Sequence, residues 1–132
     1  MAVKAVFSIR TPANVRIQGN GINGELKWDS RFGARAAARF SKAQEYVDSE
    51  CLRRMDPLTP MRTGAMIRSA TAGTVIGSGK IVYNSPYARR QYYENKGGSP
   101  KHPQGGKLWF ERMKAQHGSA IRRGAERIAG NG

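Results

Sequence analysis

The sequence predicts an α+β fold: a small antiparallel sheet packed against one long helix at about residues 30–55 and a C-terminal helix at about 108–129. Three observations carry that reading. Phe32, Ala36, Phe40, Ala43, Val47, Cys51 and Met55 recur in steps of three and four, keeping one apolar stripe on one face of a helix. Trp109, Met113, Ile121, Ala125 and Ile128 form a second such stripe. Between them, "AMIRSATAGTVIG" and "KIVYNS" are β-rich runs separated by Gly77-Ser78-Gly79, a hairpin signal.

Taken in chain order, "VKAVFSIR" places Val3, Ala5, Phe7 and Ile9 on one face, and "NVRIQ" repeats the alternation after a Thr11-Pro12-Ala13-Asn14 turn signal. A short hairpin is expected there. Gly19, Gly21 and Gly24 then match the spacing of a dinucleotide-binding loop, but no helix opens inside it. Residues 19–25 therefore read as a flexible loop. Asp29 or Ser30 can cap the long helix, whose opposite face carries Arg31, Arg35, Arg39, Lys42, Glu45 and Arg53.

Pro57 and Pro60 stop that helix, since each lacks a backbone N–H and each pushes the preceding residue out of the helical region. With Thr63 and Gly64 they form a stiff joint, Gly64 permitting a backbone angle closed to other residues. Ser85-Pro86 reads as an N-cap followed by a helix-opening proline, starting "YARRQYYE". The segment 95–107, rich in glycine and proline, reads as a second flexible loop. Gly118 and Gly124 lie inside the last helical stripe and are expected to bend or break it.

A chain of 132 residues has the size of one domain, spanning 1–132. Its 23 Lys and Arg against nine acids give a net charge of +14, so the surface should attract polyanions. The excess is concentrated C-terminally: residues 57–99 and 100–132 carry +5 each. Cys51, the single cysteine, can form no internal disulfide and lies on the apolar stripe, where a buried inert thiol is expected. No apolar run has the length of a signal peptide or a membrane span, which points to an intracellular chain or one built into a particle assembled in a cell.

Catalytic and metal-binding patterns are not found. His102 and His117 have no carboxylate at metal-ligand spacing, and the sequence holds no Walker loop, no G-x-S-x-G and no carboxylate couple suited to acid–base work. No cofactor is expected and no enzymatic activity. Non-specific nucleic-acid binding is the alternative function. Arg89, Arg90, Lys96, Lys101, Lys107 and the last helix's arginines, interleaved with Tyr87, Tyr92, Tyr93 and Trp109, could follow phosphates and stack bases. No sequence-reading module accompanies them.

Read in order, "MDPLTPMRTGAMIRSA", "GKIVYNSPYARRQYYE" and "LWFERMKA" resemble the minor capsid or neck proteins of long-tailed bacteriophages, over about residues 45 to 115. Pro60, Thr63 and Gly64 match the joint, Tyr83, Pro86, Tyr87, Ala88, Tyr92 and Glu94 the second block, and Trp109 the third. The resemblance implies a virion subunit, assembled in the host cytoplasm, forming a homo-oligomeric ring at the head–tail junction. Its partners would be portal-side head-completion or adaptor proteins, tail terminator or tail tube proteins, and the genome in the lumen, without sequence readout or membrane contact.

Two sets of residues are then candidates. Tyr87, Arg89, Arg90, Tyr92, Tyr93, Glu94 and Trp109 are candidates for contact between subunits, with the tyrosines as anchors. Lys96, Lys101, Lys107, Arg112, Lys114, Arg122, Arg123 and Arg127 are candidates for facing DNA or an acidic partner.

Overall fold

The computed structural model describes residues 8–62 and 64–130. Two strands, β1 (Val15–Gly19) and β2 (Ile22–Leu26), precede a long helix, α1 (Phe32–Met55). A 3₁₀ turn at Asp56–Leu58 follows, then α2 (Ala65–Gly73), α3 (Ala88–Glu94) and α4 (Trp109–Gly130). The α+β class stands, and both long helices fall where their apolar stripes place them.

α1 and α4 form the body of the molecule. Met55 clusters with Trp109 and Met113, Arg54 meets His117 at 3.2 Å, and Tyr46 lies over Gly124, so the two helices run antiparallel. Met55, Leu58, Trp109, Met113 and Ile121 are the buried cluster, with Tyr46, Val47, Cys51, Leu52, Met66, Ile81, Tyr83 and Tyr92 packed around it. The other end of the stripe is thinner: Phe40 is exposed, and Gly33, Ala36 and Ala37 provide the burial there.

The sheet differs from expectation in place and in surroundings. β1 pairs antiparallel with β2 in a register that sets Val15 opposite Leu26, Ile17 opposite Gly24 and Gly19 opposite Ile22. Residues 19–25 are thus the turn and second strand of a hairpin rather than a loop. Asn20-Gly21 makes the connection with Gly21 at φ 74°, and this dipeptide between alternating apolar residues is itself a hairpin signal. The expected partner segment falls largely on residues 1–7, outside the described residues, and Ser8 and Ile9 are not in a strand. Every residue of both strands is exposed, so α4, rather than the sheet, covers α1.

The expected hairpin at 65–85 is instead α2 followed by an irregular run. Gly64, at φ 82°, caps α2 from the left-handed region, and Arg68 N–H donates to its carbonyl at 2.9 Å. Three alanines favour the helix, and Met66, Ala70 and Gly73 recur at helical spacing. The residues after α2 are held by side-chain bonds. Thr74 Oγ1 accepts from Val82 N–H at 3.0 Å, and Asp48 Oδ2 accepts from the N–H groups of Gly77 and Gly79 at 2.8 and 3.0 Å. Asp48, fully buried on α1, thereby fastens the 77–79 turn to that helix. No helix of the described residues is long and apolar enough to cross a membrane.

α4 runs unbroken through both of its inner glycines. Gly124 is explained by contact: a Cβ built there would overlap the Tyr46 ring, with Tyr46 Cε1 at 2.6 Å. At Gly118 the same atom would meet only Lys114 Cγ at 3.4 Å. Opposite signs are therefore expected from one substitution at two sites. Gly118→Ala should stabilise by up to about 1 kcal/mol through helix propensity, whereas Gly124→Ala should destabilise by about 1–3 kcal/mol because the helices are forced apart. Urea unfolding of both variants checks this.

Candidate assembly surface

The proline joint lies at the end of α1, where helix geometry leaves the last carbonyls without intrahelical donors. Pro57 and Pro60 supply none. Thr59, fully buried, answers the first carbonyl by donating both its N–H and its hydroxyl to Met55 O, at 2.9 and 2.8 Å. Thr59 N–H also reaches Asp56 O at 3.1 Å, and the carbonyls of Leu58 and Thr59 are answered from the far side of the sequence. Leu58 O accepts from Gly106 N–H at 3.1 Å and from the Arg112 guanidinium at 3.0 Å. Thr59 O accepts from His102 Nδ1 at 2.8 Å, which fixes the hydrogen on that nitrogen. Gly105 lets the backbones meet: a Cβ there would lie 3.0 Å from Thr59 O and 3.1 Å from Pro60 Cα. Thr63, a member of the expected joint, lies outside the described residues.

Arg112, expected to face DNA or an acidic partner, has its guanidinium engaged inside the protomer. Its guanidinium donates to three carbonyls, those of Leu58, Gln104 and Lys107, at 2.9–3.0 Å. It is a clamp between the joint and the 95–107 segment. The two ends of that segment are tied as well, since Lys107 N–H donates to Asn95 O and Leu108 N–H to Tyr92 O, at 3.2 and 2.7 Å. Leu108 adopts φ 55° to cap α4, a left-handed conformation costing a non-glycine residue about 1 kcal/mol or more.

Trp109 sits at the centre of this region and is only 2 % exposed. Its role is inside the protomer rather than on a contact face. Tyr92 meets its ring edge-on at 4.8 Å, and Tyr83 lies tilted against it at 5.4 Å. Burial pushes both tyrosine hydroxyls above the ordinary phenol range. Cys51, half-buried against the same cluster, has its thiol pushed up chiefly by burial. The two histidines are occupied separately: His102 at the joint, and His117 accepting on Nδ1 from Arg54, which has only donors.

α3 divides the remaining candidates. The expected cap is not formed: α3 starts at Ala88, its N-cap is Tyr87 with no side-chain cap bond, and Ser85 Oγ accepts only from Tyr87 N–H at 3.3 Å, in the turn before the helix. Tyr92 turns inward, while Tyr87, Arg89, Arg90, Tyr93 and Glu94 are exposed, with Arg90 pairing to Glu94 at 3.0 Å. Between α3 and the start of α4 an open groove of about 500 Å³ is lined by Met55, Ile81, Tyr83, Tyr92, Tyr93 and Phe110, among others. Lys96, Lys101 and Lys107 are exposed along the 95–107 segment. Lys114, Arg122, Arg123 and Arg127 are exposed on α4, Lys114 pairing with Glu111 at 3.3 Å and Arg122 with Glu126 at 3.9 Å.

The family model for minor capsid proteins matches residues 33–128, nearly the whole helical body and all of the joint. The chain belongs to the minor capsid protein family. It is a structural protein of a phage virion, where it assembles with other virion proteins. No curated protein and no solved structure matches it. The stretches that carried the resemblance to phage proteins lie inside the matched range and meet at one end of the α1–α4 pair in this minor capsid protein.

Removing the clamp should be felt by the whole end of the molecule. Arg112→Ala is expected to destabilise by about 1.5–3 kcal/mol, the range for hydrogen bonds to a charged group, and to lower Tm by roughly 5–10 °C. Arg112→Lys should lose nearly as much, since one ammonium cannot replace a planar three-way donor. Thermal unfolding followed by circular dichroism reads both.

A second expectation concerns alkaline pH. Tyr83 and Tyr92 have folded pKa values raised above the unfolded value near 10, so their burial contributes fully below pH 10 and is lost as pH rises past it. Tm should fall between pH 9.5 and roughly 11, and the fall should be shallower in the Tyr83→Phe/Tyr92→Phe double variant.

Proposed function

We propose that this minor capsid protein is a subunit of an oligomeric ring at the head–tail junction, joining the portal-side head to the tail. The observation that carries the reading is a convergence. The joint at Pro57–Gly64, the Tyr83 to Glu94 block and Trp109 are separated in sequence, yet they build one clamped end of the molecule. These are the residues on which the chain resembles neck proteins. A rigid end with a rim of Tyr87, Arg89, Arg90, Tyr93 and Glu94 suits repeated contact with an identical neighbour.

The basic surface has a place in the same scheme. Arg122, Arg123 and Arg127 on α4, with Lys96, Lys101, Lys107 and Lys114, would meet an acidic face of a portal-side adaptor, of a tail terminator or of a tail tube protein, or would line the lumen crossed by the genome. Contact with DNA would be through phosphates, without sequence readout.

Deleting the gene for this protein is expected to leave filled heads and finished tails that fail to join, and a tag on the C-terminus should label virions at the neck. Electron microscopy checks both. Label spread over the capsid faces, or joined particles in the deletion, would overturn the reading. If the protein instead acts as a free nucleic-acid binder, virions carry none of it and its DNA affinity falls with a log–log salt slope near −0.9 per phosphate contact.

A further inference from the structure

The hairpin formed by β1 and β2 has one wholly apolar face. In the observed register Val15, Ile17, Ile22 and Leu26 point to the same side, and Arg16, Gln18, Asn23 and Glu25 to the other. Among the described residues nothing covers that face: Ile17 is 61 % and Ile22 72 % exposed. Gly24 lies in the middle of it, and a Cβ built there would meet no atom within 4 Å. A glycine inside a strand weakens it and often marks a close approach by another chain. A two-stranded hairpin is marginal in water unless something packs on it.

We propose that the hairpin is a docking arm whose apolar face enters the aromatic groove between α3 and α4 of a second copy of this chain. The geometry excludes the protomer's own groove. The base of the hairpin is pinned at the start of α1, where Trp28 N–H donates to Asn14 Oδ1 at 2.9 Å, Thr11 Oγ1 donates to Ser30 O at 3.2 Å and Gly33 N–H donates to Thr11 Oγ1 at 3.0 Å. Gly33 is fixed by that crossing, since a Cβ there would lie 2.7 Å from Thr11 N. The groove opens beside Met55, at the other end of α1. A helix of 24 residues is about 36 Å long, whereas a five-residue strand reaches about 17 Å. Donor and acceptor sit at opposite ends of one rod and meet only between neighbours.

Charge permits the same occupant. Residues 15–26 hold one arginine and one glutamate, so the arm is neutral in a chain of +14. Being neutral, it can approach another strongly basic copy without adding charge repulsion. The contact is heterologous, and such contacts close into rings when the rotation per subunit allows. Each arm covers a few hundred Å², below the roughly 1,200 Å² of a stable isolated pair, so free protein should associate weakly and tightly only when the ring closes. This deepens the ring reading and rests on it.

Complementation tests the proposal. Ile22→Glu spoils the arm and Tyr93→Glu spoils the groove, and both positions are exposed, so circular dichroism and Tm should stay at the wild-type values. In sedimentation up to about 1 mM, wild type should self-associate and each variant should be weakened by roughly tenfold or more. Their equimolar mixture should form dimers and stop there, because each supplies the surface the other lacks.

Wild type that stays monomeric, variants that associate like wild type, or a mixture that fails to pair would overturn the proposal. Should Tyr93→Glu fail to fold, a photo-crosslinker at position 22 in mixed light and heavy copies decides. Links to residues 79–93 of the other isotope support docking, and links within one copy, to another virion protein or to nothing overturn it. A hairpin-built oligomer located elsewhere in the virion would sink the neck assignment alone, whereas a neck ring with the arm on another protein would sink only the docking.

Discussion

The structure depends on how the carbonyls at the end of α1 find donors. A helix terminating inside a protein exposes several acceptors at once, and Pro57 and Pro60 remove two of the N–H groups that could have answered them locally. Leaving such groups buried and unpaired costs about 1–3 kcal/mol each. The chain meets the demand with Thr59, which bonds back to Met55, and with donors drawn from residues 102–112. The stiffness of the joint is therefore not a property of the prolines. It comes from the bonds that Gly106 and Arg112 make to Leu58 O and that His102 makes to Thr59 O, which tie the joint to the start of α4.

That explains which parts of the molecule could be read from the sequence. α1 and α4 were legible because each rests on local spacing, and α3 was legible as a helix, though it starts at Ala88 without the expected Ser85 cap. α2 was not, because Ile67, Thr71 and Thr74 look like strand residues until Gly64 adopts a left-handed angle and starts a helix. Arg112 reads as one more surface cation; only the fold brings three carbonyls to it. Asp48 belongs to no pattern in the sequence, yet it receives two backbone N–H groups from a turn 29 and 31 residues away. The hairpin was half legible: the alternation at Val15 and Ile17 was recognised, while Asn20-Gly21 pointed to a partner downstream rather than upstream.

The candidate surface shows the same limit in one dipeptide. Tyr92 and Tyr93 are adjacent, and neighbours on a helix point about 100° apart. One ring therefore closes the core against Trp109 while the other stands on the rim of the groove. A sequence motif containing both mixes a packing residue with a surface residue, and so does the pair Trp109 and Phe110 at the start of α4. What resembles a contact motif is in part the scaffold that holds the contact residues in place.

The joint and the arm also bear on each other. In a heterologous ring the angle between donor and acceptor surfaces is repeated at every subunit, so a small error accumulates until the ring fails to close and a filament results. In the proposed contact the hairpin arm is pinned to one end of α1 through Gly33, and the groove lies at the other end, beside the clamp at Leu58 and Thr59. A hinge at residues 57–64 would let the groove swing relative to the arm. The three-carbonyl arginine ties the joint to the start of α4, which lines the groove, and so opposes that swing. In the proposed ring, rigidity at the joint would allow a weak contact to select a closed assembly over an open one.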